Sequence, residues 1–321
     1  MSKVTVCRSA RELIKIEPLW RFLCTEDEAT VFQDFDLNLL AAQAFSGREE
    51  PFVVAVEASF GAAIVPAVLR QTDDSLRLLG EELFDYRKFL HAGDDEVLRE
   101  AVSVLATLQK PLEVVALRQF DCCDTYSELN LERFCMAPML RSADMTADEL
   151  SEVHTRLGRN LRRLQRLGFE LNTYDGDNPQ LLRAIYGGKA VQDSNSLFHD
   201  PHRIQFLVNA ALLQPEIFEI FTLEWGPQIG AALVTLLDGR TRRFYTGWFS
   251  PEIAKHSPAL TLIYEVSRQT LAAGWDCDYM TGEQPYKLRL ATSSVPLFKL
   301  KATPEQLRDY SHAAAELRPV G

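Results

Sequence analysis

The chain has 321 residues, 46% of them hydrophobic, enough for two ordinary domains with their own cores. Its net charge is −11 and uneven: residues 1–140 hold 14 Lys and Arg against 24 Asp and Glu, residues 141–321 hold 20 against 21. That balance argues against general nucleic-acid or DNA binding, and the absence of any run of 18 apolar residues argues against a membrane span.

In chain order, Pro51 to Ala58 reads as a strand, broken at Ser59-Phe60-Gly61. Ala62 to Arg70 is a second strand, and Pro66 within it predicts an edge or a bulge, because proline has no N–H for the ladder. Thr72-Asp73-Asp74 makes a turn before a third strand, Ser75 to Leu79. Asp94-Asp95 opens a helix, Val97 to Gln109, and Leu112 to Leu117 reads as a buried strand. Ala147 to Gly168 reads as one helix, with Val153, Leu157, Leu161 and Leu164 on a single face. Arg156, Arg159, Arg162, Arg163 and Arg166 fill much of the rest. Leu181 to Gly187 and Pro201 to Leu213 are further helical patterns.

Ile229 to Leu237 is an apolar strand, Asp238-Gly239 a hairpin signal, and Arg243 to Phe249 an aromatic strand ended by Ser250-Pro251. Ser257-Pro258 has the form of an N-cap followed by proline at the first helical position. Ala259 to Ala273 is then helical until Gly274, and Trp275 to Met280 returns as a strand before the pair Tyr286-Lys287. Thr303-Pro304-Glu305 opens a tail helix running to Leu317. The stretches FVVAVEASFGAAIVPAVLRQTDDSLRLLG and FEIFTLEWGPQIGAALVTLLDGRTRRFYTG share strand, turn with Gly, Ala-rich strand, acidic turn, strand and Gly. Their offset of roughly 167–169 residues suggests two copies of one unit, residues 1–140 and 141–321.

The pieces LRLLGEELFDYRKFL (76–90), HTRLGRNLRRLQRLGFEL (154–171), FYTGWFSPEIAKHSPALTLIYEV (244–266) and GWDCDYMTGEQPYKLRLA (274–291) resemble the BioF2-like and CelD-like acetyltransferases of the GNAT superfamily. Those proteins are associated with cellulose and exopolysaccharide biosynthesis. More distantly the chain is similar to the FemABX aminoacyl transferases, which are tandem GNAT domains. The resemblance covers roughly residues 30–300. It implies an α+β fold of two tandem GNAT-like domains, each a mixed, mostly antiparallel sheet flanked by helices. It further implies an acyl-CoA-dependent N-acyltransferase, with acetyl-CoA or another acyl-CoA as co-substrate and a sugar or small-metabolite amine as acceptor. Two departures stand out. The usual glycine-bearing pyrophosphate loop is replaced by Lys255-His256-Ser257-Pro258-Ala259-Leu260, and Asn38-Leu39-Leu40 stands where an aromatic is usual.

Acyl transfer needs an uncharged amine, a nearby thioester, a donor for the oxyanion and a path for the proton. Tyr245, His256, Ser257, Ala259 and Leu260 are the cofactor-binding candidates, since a helix start holds a pyrophosphate. Asp85 as base and Tyr286 as acid are the catalytic candidates, with Tyr86, Arg159, Arg162 and Lys287 for substrate. Each also has a plainer reading: Asp85 as a turn residue, Ser257 as a cap, Tyr245 as core, the arginines as a solvated face. His199-Asp-Pro-His202 is a poor metal site, because the proline breaks the helix that would align the rings, and no metal is expected. No GxSxG, P-loop, HExxH or GxGxxG motif supports a hydrolase, kinase, zincin or dehydrogenase.

Cys7, Cys24, Cys122, Cys123, Cys135 and Cys277 form no CxxC pair, and the opening MSKVTVCRSARELIK has no signal-peptide core; both suit a reducing cytoplasm. Cys122-Cys123 reads as two small buried residues, with a redox role as the rival. Two alternatives to acyl-CoA chemistry stay open: aminoacyl transfer from tRNA, which the acidic first half disfavours, and a catalytically degenerate pair that binds a ligand or partner.

Overall fold

The computed structural model describes residues 2–26, 29–118 and 129–316. Cys122 and Cys123 therefore lie outside the described residues. The chain forms two compact units, Met1–Cys135 with Pro296–Gly321, and Met136–Val295. The last residues of the chain belong to the first of these units.

In unit 1 the strand order is β1 (Lys3–Cys7), β2 (Glu49–Ala58), β3 (Gly61–Arg70), β4 (Ser75–Leu78), β6 (Leu112–Arg118) and β13 (Ser293–Ala302), with β5 (Leu90–Gly93) also on β3. All neighbours are antiparallel except β4 and β6. The apolar run of β2 is nearly continuous because both faces are covered. Val54 and Val56 meet the helix α4 (Glu96–Ala106) through Val97, Ala101 and Leu105. Val53 and Ala55 meet the other layer, α1 (Ala10–Leu13), α2 (Glu17–Glu26) and α3 (Phe35–Ala44), through Leu13, Trp20 and Phe35. Pro66 is neither at an edge nor in a bulge: β3 is an interior strand. The pairing of β3 with β5 ends at Ile64 and that with β4 begins at Ala67, so the missing N–H falls in the gap between them. The Pro66 carbonyl still accepts from the Leu79 N–H at 2.9 Å.

In unit 2 the order is β7 (Asn130–Leu140), β12 (Asp276–Asp278), β11 (Thr241–Phe249), β10 (Gln228–Asp238), β9 (Phe218–Trp225) and β8 (Glu170–Asp175). Only β11 and β12 are parallel. Strands β7 and β13 contribute residues to both units.

The expected helix over 147–168 is two helices, α5 (Ala147–Val153) and α6 (Thr155–Arg166), broken at His154. Val153 is consequently 65% exposed and not on the buried face with Leu157 and Leu164. Helices α7 (Pro179–Gln192) and α8 (Pro201–Leu213) follow; α7 lies against β11, where a Cβ on Gly188 would come within 2.7 Å of the Trp248 ring. The hairpin between β10 and β11 turns on Gly239 (φ +59°) and Arg240, one residue later than expected, because Asp238 still pairs with Thr241. Helix α9 (Pro258–Ala272) crosses from β11 to the parallel β12 and buries Leu262 and Val266 against Phe221, Leu223 and Leu233. Helices α10 (Pro285–Leu290) and α11 (Pro304–Glu316) complete the fold. No helix among the described residues is long and apolar enough to cross a membrane.

Candidate active site

The site in unit 2 begins where β11 and β12 part. Their parallel pairing runs only from Thr241–Asp276 to Arg243–Asp278, while β11 continues to Phe249. A buried ion-pair network holds this last rung. Arg243 donates to Asp238 through Nε at 2.8 Å and also bonds Asp278, which is 1% exposed and accepts from the Met280 N–H at 2.7 Å. Met280 then takes a positive φ of 62°, and the chain turns away from β11. The strands thus open a wedge in the middle of the sheet.

Helix α9 starts at that wedge. Ser257 sits in the left-handed region (φ 50°, ψ 51°), and its side chain caps nothing, contrary to the cap reading. Its carbonyl instead accepts from the N–H and Oγ1 of Thr261 at 3.0 and 2.9 Å. Pro258 needs no partner for a missing N–H, and the first-turn amides of Ala259 and Leu260 precede the hydrogen-bonded ladder. A non-glycine residue held at positive φ at a helix start with no side-chain cap fits a site kept open for a ligand.

Two cavities meet at this start, and Ser257, Leu260 and Tyr286 line both. The larger, about 500 Å³, is bounded by Tyr245, Gly247 and Phe249 of β11, by Pro258, Ala259 and Ile263 of α9, and by Lys189 and Gln192 of α7. The smaller, about 280 Å³, is bounded by His154, Arg156 and Asn160 around the α5–α6 break and by Arg289 of α10. Burial pushes the Tyr286 phenol upward, so it is protonated near neutral pH and available as a donor. His256 lines neither cavity; its Nδ1 is buried without a hydrogen-bond partner. Burial, with Arg163 and Lys255 adding to it, holds that ring below the usual histidine range.

Of the residues nominated from sequence, Tyr245, Ser257, Ala259, Leu260 and Tyr286 come together. Lys287 does not: it is 7% exposed, and its Nζ bonds the Thr281 carbonyl at 2.6 Å. The helical phase of α10 gives the reason, since positions 286, 289 and 290 share a face and 287 does not. Arg159 and Arg162 are exposed and line neither cavity; Arg156 and Asn160, one turn apart, do. Asp85 and Tyr86 belong to unit 1, in the loop between β4 and β5. Asp85 is half-buried. Tyr86 is buried, its ring 6.2 Å from Phe32, which fits packing better than substrate contact. The His199–His202 motif caps a helix: Asp200 accepts from the His202 N–H at 2.9 Å and Pro201 is the first residue of α8. Among the described residues no group of three His, Cys, Asp or Glu could hold a metal. Arg156 and Arg289 were missed because their sequence signal is only helical phase relative to Leu157 and Tyr286.

No curated protein matches the chain in sequence. Its fold is similar to that of L-PGS from Bacillus licheniformis, at 9% identity over 89% of this chain and 91% of that one, with a TM-score of 0.59. It is also similar to a tandem GNAT protein from the clavulanic acid biosynthesis pathway, at 9% identity, 95% and 99% coverage and a TM-score of 0.56. FemX matches at 10% identity, 86% and 92% coverage and a TM-score of 0.55. Residues 151–288, which hold the wedge, the larger cavity and most of the lining of the smaller one, match the family model of the acetyltransferase (GNAT) domain. The chain thus carries a GNAT acetyltransferase domain within a tandem GNAT fold and is an N-acyltransferase.

Proposed function

We propose that this N-acyltransferase takes its acyl group from acyl-CoA and passes it to an amine of a sugar or small metabolite. A link to polysaccharide biosynthesis follows only from the sequence resemblance. The observation that carries the reading is the open wedge beside an uncapped helix start. The larger cavity falls in the range of ligand pockets, about 300–1,000 Å³. The start of α9 offers amides and a positive dipole end to a pyrophosphate, and the inner face of β11 flanks the arm that carries the thioester. The amine nitrogen attacks the thioester carbon, the C–N bond forms and the C–S bond breaks. Tyr286 gives its proton to the departing thiolate, and the proton lost by the amine leaves through a base or water. Asp85, the base candidate named from sequence, lies in unit 1, and unchanged turnover in Asp85→Asn would reduce it to a turn residue.

Thermal shift with acetyl-CoA, longer acyl-CoAs and free tRNA tests the reading. Ligand at a hundredfold excess over its dissociation constant stabilises by about 2.7 kcal/mol. Tyr286→Phe should lower turnover about ten- to a hundredfold while leaving acyl-CoA affinity unchanged, the pattern of a group that acts in the transition state. No stabilisation by any acyl-CoA would overturn the proposal. A second reading, aminoacyl transfer from tRNA, draws on the exposed Arg159, Arg162 and Arg166 of α6, and stabilisation by tRNA alone would select it.

A further inference from the structure

The acyl-CoA reading uses neither Arg156 nor Arg289, yet both line the smaller cavity, one from α6 and one from α10. The buried or half-buried Arg242, Arg243 and Arg268 of unit 2 meet Glu219, Asp278 and Glu265. Among the described residues Arg156 and Arg289 have no such ion pair, and no Asp or Glu lines the cavity. The polar side chains that do line it, Thr155, Asn160, Ser257 and Tyr286 among them, can all donate hydrogen bonds. Arg156 and Arg289 are both solvent-exposed at the rim of this open cavity, so an anion entering it would meet two cations and no carboxylate. The positive field there is felt by His154, held below its usual range first by burial and then by Arg289. A guanidinium fork matches phosphate oxygens two at a time.

We propose that this cavity is a phosphomonoester subsite in which Arg156 and Arg289 grip a terminal phosphate, separate from the pyrophosphate placed at the start of α9. The proposal rests on the acyl-CoA reading only for one of its two sources: the phosphate is either the 3′-phosphate of CoA or a phosphate on the amine acceptor.

The experiment is equilibrium binding to the full chain of CoA, dephospho-CoA, glucosamine 6-phosphate and inorganic phosphate. Each is measured for the wild type and for Arg156→Gln and Arg289→Gln. If CoA is the source, the wild type prefers CoA over dephospho-CoA about tenfold or more, and each variant erases that preference while dephospho-CoA affinity holds. If the acceptor is the source, CoA and dephospho-CoA bind alike, and the variants weaken glucosamine 6-phosphate and inorganic phosphate instead. Should no CoA species bind the wild type while inorganic phosphate binds and depends on both arginines, the acyl-CoA reading falls and the subsite stands. Unchanged affinity of both variants for all four probes, or no phosphate-dependent binding in the wild type, overturns the subsite.

Discussion

Helices α4 and α9 occupy the same place in their units, the crossover between two parallel neighbours after an antiparallel meander. Their starts are opposite in character. In α4, Asp94 accepts from the Glu96 N–H at 2.9 Å, and Asp95 and Glu96 follow it. In α9, Ser257 leaves the amides uncapped, and Lys255 and His256 precede it. The space at the end of the preceding strand differs in the same sense. After β4, Arg87 is buried and donates to the carbonyls of Leu78, Leu79 and Phe84 at 2.8, 3.1 and 3.0 Å. A cavity of only about 10 Å³ is left beside it. After β11 the cavity is about 500 Å³. One copy of the unit has been filled and made acidic, and the other kept open and basic. A repeated topology therefore need not repeat a site, because the ligand space depends on side chains that the strand order leaves free.

The largest effect should come from Arg243→Met, which leaves Asp278 buried without its cation. Loss of one partner of a buried pair costs about 3–5 kcal/mol. Urea denaturation should show that loss together with loss of acyl-CoA binding; full stability in the variant would mean the wedge is held by something else.

Next in size is a pH effect confined to the filled unit. Burial pushes Glu49 up to about 7, partly offset by Arg70 at 3.5 Å. Its folded pKa lies above the unfolded value of about 4.3, so the protonated carboxyl favours the folded state. That contribution is present below the unfolded value and is lost as pH rises through about 7. Up to about 3 kcal/mol should disappear between pH 4 and 8. Glu49→Gln should flatten the stability curve over that range; a parallel curve would show that Glu49 does not carry the slope.

Filling the open unit as Arg87 fills the closed one gives a third test. A Cβ on Gly247 would meet nothing nearer than 3.9 Å, so Gly247→Phe should keep the fold and project a ring into the cavity. Acyl-CoA affinity should fall at least about tenfold, or 1.4 kcal/mol. Calorimetry that finds affinity intact would place the acyl donor elsewhere. The smallest effect belongs to the capped start: Asp94→Ala should cost about 1 kcal/mol, the usual worth of a helix cap. A thermal melt with no change would mean that the Glu96 N–H is satisfied equally well without it.

Much of this was legible in the sequence where short-range chemistry decides. Alternating apolar residues and Gly239 fixed the meander into α9, and Ser257-Pro258 marked the helix start, because proline is tolerated there and little further in. The composition of Lys255 to Leu260 also announced a basic, glycine-free start. What only the tertiary structure decided is which basic residues share a space. Arg156 and Arg289 line one cavity, while the equally exposed Arg159 lines none and Lys287 turns to backbone carbonyls. On a helix a shift of one position rotates a side chain by about 100°, so neighbours in sequence face different surroundings. The break at His154 carries no glycine or proline to betray it. The burial of Arg87 is equally silent in its own neighbourhood, because it depends on carbonyls that the folded backbone turns toward it.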